Sequence, residues 1–263
     1  MSLVFAAISP HPPLLIPTIG KDNIKQVEQT KQAMEKLEED LYLSRPDVIL
    51  LISPHGSYFK DAFTLNMSPS YVTDLREFGD LTTKLRFKGE MSLASSIRES
   101  GKHNNYSISM ISEEKLDHGS SVPLVYLTSH LPNASILPIG FSSLDWKTHV
   151  DLGYMIKNNI AESNKRVAVI ASGDLSHALQ TDAPAGFNPA GEKFDKQIQE
   201  LLETNNVSGM LQLDSEFVDE AAECGFRSFL ILLGILRNVN YDYKSYSYES
   251  PFGVGYLVAN FVV

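Results

Sequence analysis

The chain has 263 residues, 43% hydrophobic and 21% charged, with a net charge of −10. That is ordinary globular composition and predicts one domain over residues 1–263, with no linker-like stretch. The acidic balance argues against a nucleic-acid surface or an anionic-membrane surface. Cys224 is the single cysteine, so an intrachain disulfide is excluded and a reducing compartment is expected. The apolar N-terminal residues are too few, and lack the basic flank, for a signal peptide or a span, which points to the cytoplasm.

In chain order, Leu3 to Ile8 reads as a first buried strand running into Ser9-Pro10-His11. Asp22 to Tyr42 carries apolar residues at Ile24, Val27, Met34, Leu37 and Leu41, the spacing of an amphipathic helix lying on a sheet. Val48 to Ile52 is a continuous aliphatic run, the pattern of a parallel strand covered on both faces, and it repeats the exit Ile-Ser-Pro-His at 52–55. This strand–helix–strand order is a βαβ unit.

Residues 63–67 and 107–111 read as short strands and 92–100 as a short helix, while 71–89 has no clean period. Leu116 to Leu124 (LDHGSSVPL) leads into an apolar helix, 135–140 is a buried strand, and 145–163 is a second amphipathic helix. Arg166 to Ser172 repeats the central-strand pattern and runs into Gly173-Asp174-Leu175-Ser176-His177. Residues 190–204 and 215–238 read as helices and 241–263 as two closing strands. The whole is an α/β fold with a largely parallel central sheet covered by helices.

Of seven histidines, His103, His130 and His149 read as surface or capping residues. His11, His55, His118 and His177 each sit in a turn bounded by Pro, Gly or Ser beside an apolar run. Four such histidines at one sheet edge point to a common site, because that edge is where open α/β sheets bind ligands. Two neutral imidazoles and a carboxylate bind a divalent metal and leave positions open for substrate and oxygen. The carboxylate candidates are Asp117, Asp174, Glu220 and Glu223; Asp117 and Asp174 are placed to orient an imidazole. No P-loop, CxxC or GxSxG occurs, and Gly253-Val254-Gly255 lacks the rest of a dinucleotide loop.

The ordered set SPHPPLLIP, SPHG, LDHGSSVPL, ASGDLSHAL and ESPFGVGY, spread over nearly the whole chain, resembles the class III extradiol dioxygenase superfamily, which includes the MEMO-like proteins. Within it, the likeness is to the subunit-B-like branch of AmmeMemoRadiSam systems. The resemblance implies a non-haem Fe(II) site with His11 and His55 as ligands and a late glutamate, best matched by Glu223, as the third. It implies His177 as acid/base and His118 in the same pocket, with Asp174 beside them. The partners it implies are a small catechol- or aminophenol-type aromatic and O2, and a homo-oligomer is compatible with it. Around Glu223 the run ECGFR looks more like the MEMO branch, which points to Cys224 and to zinc or copper in place of iron. Glu223 is the expected ligand, because an ionised carboxylate in the apolar stretch AAECGF otherwise lacks compensation. Zinc-dependent hydrolysis in the same pocket is also chemically open.

Overall fold

A computed structural model describes residues 2–263. The strands are β1 (Leu3–Ser9), β2 (Val48–Ser53), β3 (Phe63–Asn66), β4 (Ser70–Thr73), β5 (Arg86–Lys88), β6 (Ile108–Ile111), β7 (Lys115–Leu116), β8 (Ser135–Gly140), β9 (Val167–Ser172), β10 (Asp242–Glu249) and β11 (Tyr256–Val262). The helices are α1 (Pro17–Gly20), α2 (Glu28–Ser44), α3 (Met91–His103), α4 (His118–Leu127), α5 (Trp146–Glu162), α6 (Pro189–Glu203), α7 (Val207–Met210), α8 (Ser215–Glu220) and α9 (Phe226–Ile235).

Eight strands form the main sheet in the order β10-β11-β1-β9-β2-β8-β3-β6, with β1, β9, β2 and β8 parallel. These four strands are almost wholly buried, as aliphatic runs packed on both faces must be. One face packs through Phe5, Ala7, Ile49, Leu51 and Ile170 against Met34, Leu37 and Leu41 of α2 and Leu124 and Leu127 of α4. The other packs through Ile8, Leu50, Ile52 and Val169 against α3, α5, α6 and α9. The stretch without a clean period, 71–89, contributes β4 and β5, and β4 pairs with both β5 and β7 in a small three-stranded sheet. Its period is obscured because β5 is mostly exposed while β4 alternates.

Two expectations need correction. The βαβ unit read through His11 and His55 implies adjacent strands, whereas β9 lies between β1 and β2. Ile8 and Ile52 both align with Ala171 of β9, so the two Ile-Ser-Pro-His exits still leave the sheet at one level. The second concerns the helix read over 215–238, which is broken. Chain α8 ends at Glu220, Ala222 adopts a left-handed φ of 52°, and α9 starts only at Phe226. The break is set by a close approach: a Cβ on Gly173 would lie 2.1 Å from the Cα of Gly225. Only two glycines let the 221–225 turn press onto the exit of β9.

Candidate metal centre

His11 is buried just past β1, and its main-chain N–H donates to Asp174 Oδ1 at 3.0 Å. Its ring Nδ1 lies 2.9 Å from Ser172 Oγ at the end of β9. The Ser172 hydroxyl spends its one proton on the Gly119 carbonyl, at 2.6 Å, so it can only accept from the imidazole. Nδ1 therefore carries the proton in the neutral ring and Nε2 presents a bare lone pair. Burial, then the charges that His118 and His177 would carry, holds His11 well below its usual titration range, so the neutral form is the resident one.

That lone pair faces His55 Nε2 at 3.0 Å, with the rings edge-on. His55 is lowered too, by partial burial first and then by His11 and His118, while its outer edge is open to solvent. Two imidazole nitrogens each about 2.1 Å from one ion at a right angle would be about 3 Å apart, so the pair fits a shared divalent cation. His118, the first residue of α4, stacks on His55 with ring centroids 4.1 Å apart and meets Phe78 on its other side. Asp117 does not orient an imidazole. It caps α4 through Ser120 N and accepts from Ser53 Oγ at 2.6 Å, tying the helix start to the exit of β2.

The turn at 221–225 brings Cys224, not Glu223, to the site. Cys224 Sγ lies 3.7 Å from His11 Nε2 and 3.9 Å from His177 Nε2, and accepts the Asp174 N–H at 3.3 Å. A thiolate and an imidazole on a shared ion would be about 3.1 Å apart at a right angle and about 3.6 Å at the tetrahedral angle, so the 3.7 Å here is at the wide end of that range. Two groups of ligand atoms converge, His11–His55–His118 and His11–Asp174–Cys224. Glu223 belongs to neither. Its carboxylate accepts the Phe226 N–H at the start of α9 and lies 3.8 Å from Arg227. Burial raises it to about 7, with that N–H and Arg227 pulling the other way. The compensation for its burial is thus a helix start and a guanidinium rather than a metal. The helix read over 215–238 would include residues 223 and 224, but neither is in a helix, so helical geometry does not decide which of them faces the site. Glu220 is on the surface.

Asp174 is buried between His11 and His177, with Oδ2 3.8 Å and 3.9 Å from their Nε2 atoms. Burial raises its carboxyl to about 6, opposed first by His177. His177 is lowered by burial, with Asp174 opposing, so its ring is a neutral base near neutrality. Its main chain is held by a bond from its N–H to Ala221 O at 3.3 Å.

Among the remaining histidines, His103 and His130 are exposed, and His130 pairs with Glu38 at 2.7 Å. His149 differs from its expectation: it is buried in the first turn of α5, between the carbonyls of Asp145 and Ser142. Ser172 and Asp195 are the supporting residues that sequence reasoning missed. Ser172 was legible as a serine at a strand end near the histidines, set aside as a nucleophile because no elbow presents it, and Asp195 had no signal beyond a polar residue on the buried face of α6.

An α/β domain with paired histidines converging at the C-terminal edge of a parallel sheet defines a metal-site class of protein. The chain belongs to the family described as the catalytic LigB subunit of aromatic ring-opening dioxygenase, which it matches over residues 5–259. It is 33% identical over 267 residues to Protein CA_C1420 of Clostridium acetobutylicum, an alignment covering 98% of this chain and 57% of that protein. This chain therefore spans little more than half the length of that relative. It is 28% identical over 283 residues to the 2-aminophenol 1,6-dioxygenase alpha subunit of a Pseudomonas species, with both chains fully covered. The fold is also that of the uncharacterized protein JW3007 from Escherichia coli K12, with a TM-score of 0.68 at 17% identity over 98% of this chain and 99% of that one. No helix among the described residues is long and apolar enough to cross a membrane.

Proposed function

We propose that the chain is a metal-dependent, extradiol-dioxygenase-like oxidoreductase acting on a catechol- or aminophenol-type ring with O2. The observation that carries this reading is the 3.0 Å approach of the His11 and His55 Nε2 atoms, with the Asp174–His177 pair on the same site. His11 and His55 would hold the ion, Fe(II) in this reading, with Cys224, which converges on His11 but not on His55, as the candidate third ligand. The ion would supply open positions for the substrate's two ring oxygens (or oxygen and nitrogen) and for O2. His177, neutral and facing the site, would take the proton of the second hydroxyl and later return one. Asp174 would hold that ring and the His11 backbone in place, and His118, stacked on His55, would wall the site.

The family membership and the full-length match to an aminophenol dioxygenase subunit support this chemistry. That relative's description as an alpha subunit supports association with further subunits or copies. The test is anaerobic loading with Fe(II) followed by oxygen uptake on a panel of catechols and aminophenols. Uptake coupled to ring opening is expected. His177→Ala should keep its metal and lose on the order of 10²–10⁴ in kcat. Full metal loading with no uptake on any member of the panel would overturn the reading.

A second reading is favoured by Cys224. A thiol in place of the carboxylate softens the site towards zinc or copper, as in a MEMO-like protein that keeps the pocket and acts in an assembly or modification pathway. Stoichiometric zinc or copper in protein purified without added metal, together with the inactive panel, would select it.

A further inference from the structure

A cavity of about 740 Å³ opens beside the paired histidines, with His55 and Ser53 on its inner wall. It lies where the part of a bound substrate that does not react would project. The walls carry no aromatic ring other than the His55 imidazole; the apolar contribution comes from Ile111, Leu116, Pro138 and Ile139. Its charges are unevenly paired. Arg76 is committed to Asp74, with Nε 2.7 Å from Oδ1 and a second nitrogen on Oδ2, and Lys115 lies 4.0 Å from the same carboxylate. Asp117 is taken up by Ser53 and Ser120. Glu77 and Glu113 also line the cavity, so carboxylates outnumber cations by two.

Glu113 is fixed in place although its side chain is exposed. The Asn66 amide donates to its carbonyl at 2.9 Å and accepts its N–H at 3.0 Å, and Ser57 Oγ donates to Oε1 at 2.6 Å. Oε2 makes no hydrogen bond among the described residues. Deeper in the same wall is Thr64, only 3% exposed, whose hydroxyl lies over Gly140 and has no hydrogen-bond partner among the described residues. The hydroxyl opens on the cavity, where a bound group can take it as a hydrogen-bond partner.

We infer that this cavity selects substrates whose non-reacting arm carries a protonated amine, read by Glu113 with Thr64 as a neutral hydrogen-bonding contact, and that it disfavours arms ending in a carboxylate. The inference rests on the ring-cleaving reading for the position of the reacting end, but the charge preference belongs to the cavity itself. An anionic arm would face a wall with two more carboxylates than cations, and Arg76 is already forked onto Asp74; like-charge placement of this kind is what discriminates between partners.

The test is anaerobic titration calorimetry of the Fe(II)-loaded protein with dopamine, 4-methylcatechol and 3,4-dihydroxyphenylacetate. Dopamine is expected to bind about tenfold tighter than the carboxylate, with the neutral catechol between them. Glu113→Gln should shrink that gap and Glu113→Lys should reverse it, with metal content unchanged. Equal or tighter binding of the carboxylate to the unaltered protein, or a gap indifferent to Glu113→Lys, overturns the inference. If none of the three catechols binds, the ring-diol reading has failed on its own. Ligand-observed NMR with phenethylamine and phenylacetate then reads the charge preference directly. Preferential binding of the amine, lost in Glu113→Lys, supports it, and no preference overturns it.

Discussion

At the scale of single residues, the His11 lone pair is prepared for a cation by atoms that would not touch one. The Gly119 carbonyl turns the Ser172 hydroxyl into an acceptor, and that acceptor fixes the tautomer leaving Nε2 bare. Cys224 and Glu223, adjacent in sequence, divide their roles in the same way. The thiol faces His11 and the carboxylate caps α9 beside Arg227. Metal analysis under reducing conditions should therefore show Cys224→Ala losing metal affinity. Glu223→Ala should keep its metal and lose about 1–3 kcal/mol of stability in urea unfolding, from the unpaired Phe226 N–H and the freed guanidinium. Retained metal in the first variant with loss in the second would reverse the assignment.

At the scale of elements, the segment 174–177 has to be clamped, because it carries both Asp174 and His177. Asp195 of α6 does this from behind. It accepts the Ser176 N–H at 2.8 Å and the Tyr248 hydroxyl of β10 at 2.7 Å. The Ser176 hydroxyl in turn donates to Ala221 O at 2.7 Å, joining the segment to the turn that delivers Cys224. Burial raises Asp195 to about 6, with Tyr248 and the Ser176 N–H opposing. The native state thus holds this proton more tightly than the unfolded chain does. The contribution is at its most favourable below the unfolded value near 4 and is lost as pH rises to about 6. A shift of about two units corresponds to roughly 3 kcal/mol across that window. Unfolding free energies measured between pH 4 and 6.5 should fall less steeply in Asp195→Asn than in the unaltered protein; parallel slopes would refute this role.

At the scale of the whole molecule, the candidate ligands come from three distant parts of the chain. His11 leaves β1, His55 leaves β2, and Cys224 arrives from the turn before α9. A metal that binds all three links the N-terminal strand to the last third of the sequence, and it binds the folded state only. At a metal concentration a hundredfold above Kd this adds about 2.7 kcal/mol. For a chain of this size that is on the order of 5–10 °C in Tm. Chelation should lower Tm by about that amount in calorimetry, and His11→Ala should be insensitive to the chelator. An unchanged Tm on metal removal would mean that these side chains do not share an ion.

The strands were legible because aliphatic runs bounded by proline and glycine have few alternatives to a buried parallel sheet, and the repeated Ile-Ser-Pro-His exits marked the edge where the histidines gather. The pairing of His11 with His55 was legible for the same reason, since equal exits from parallel strands end at one level. Three things were decided only in three dimensions. Strand β9 enters between β1 and β2, an order set by packing across the sheet that no local pattern records. The break at 221–225 is hidden in a stretch of helical composition, because its cause is the contact of Gly173 with Gly225, 52 positions apart in the chain. The choice of Cys224 over Glu223 follows from that break. Which of two neighbouring side chains faces a site depends on the backbone's path, and here a tertiary contact bends that path.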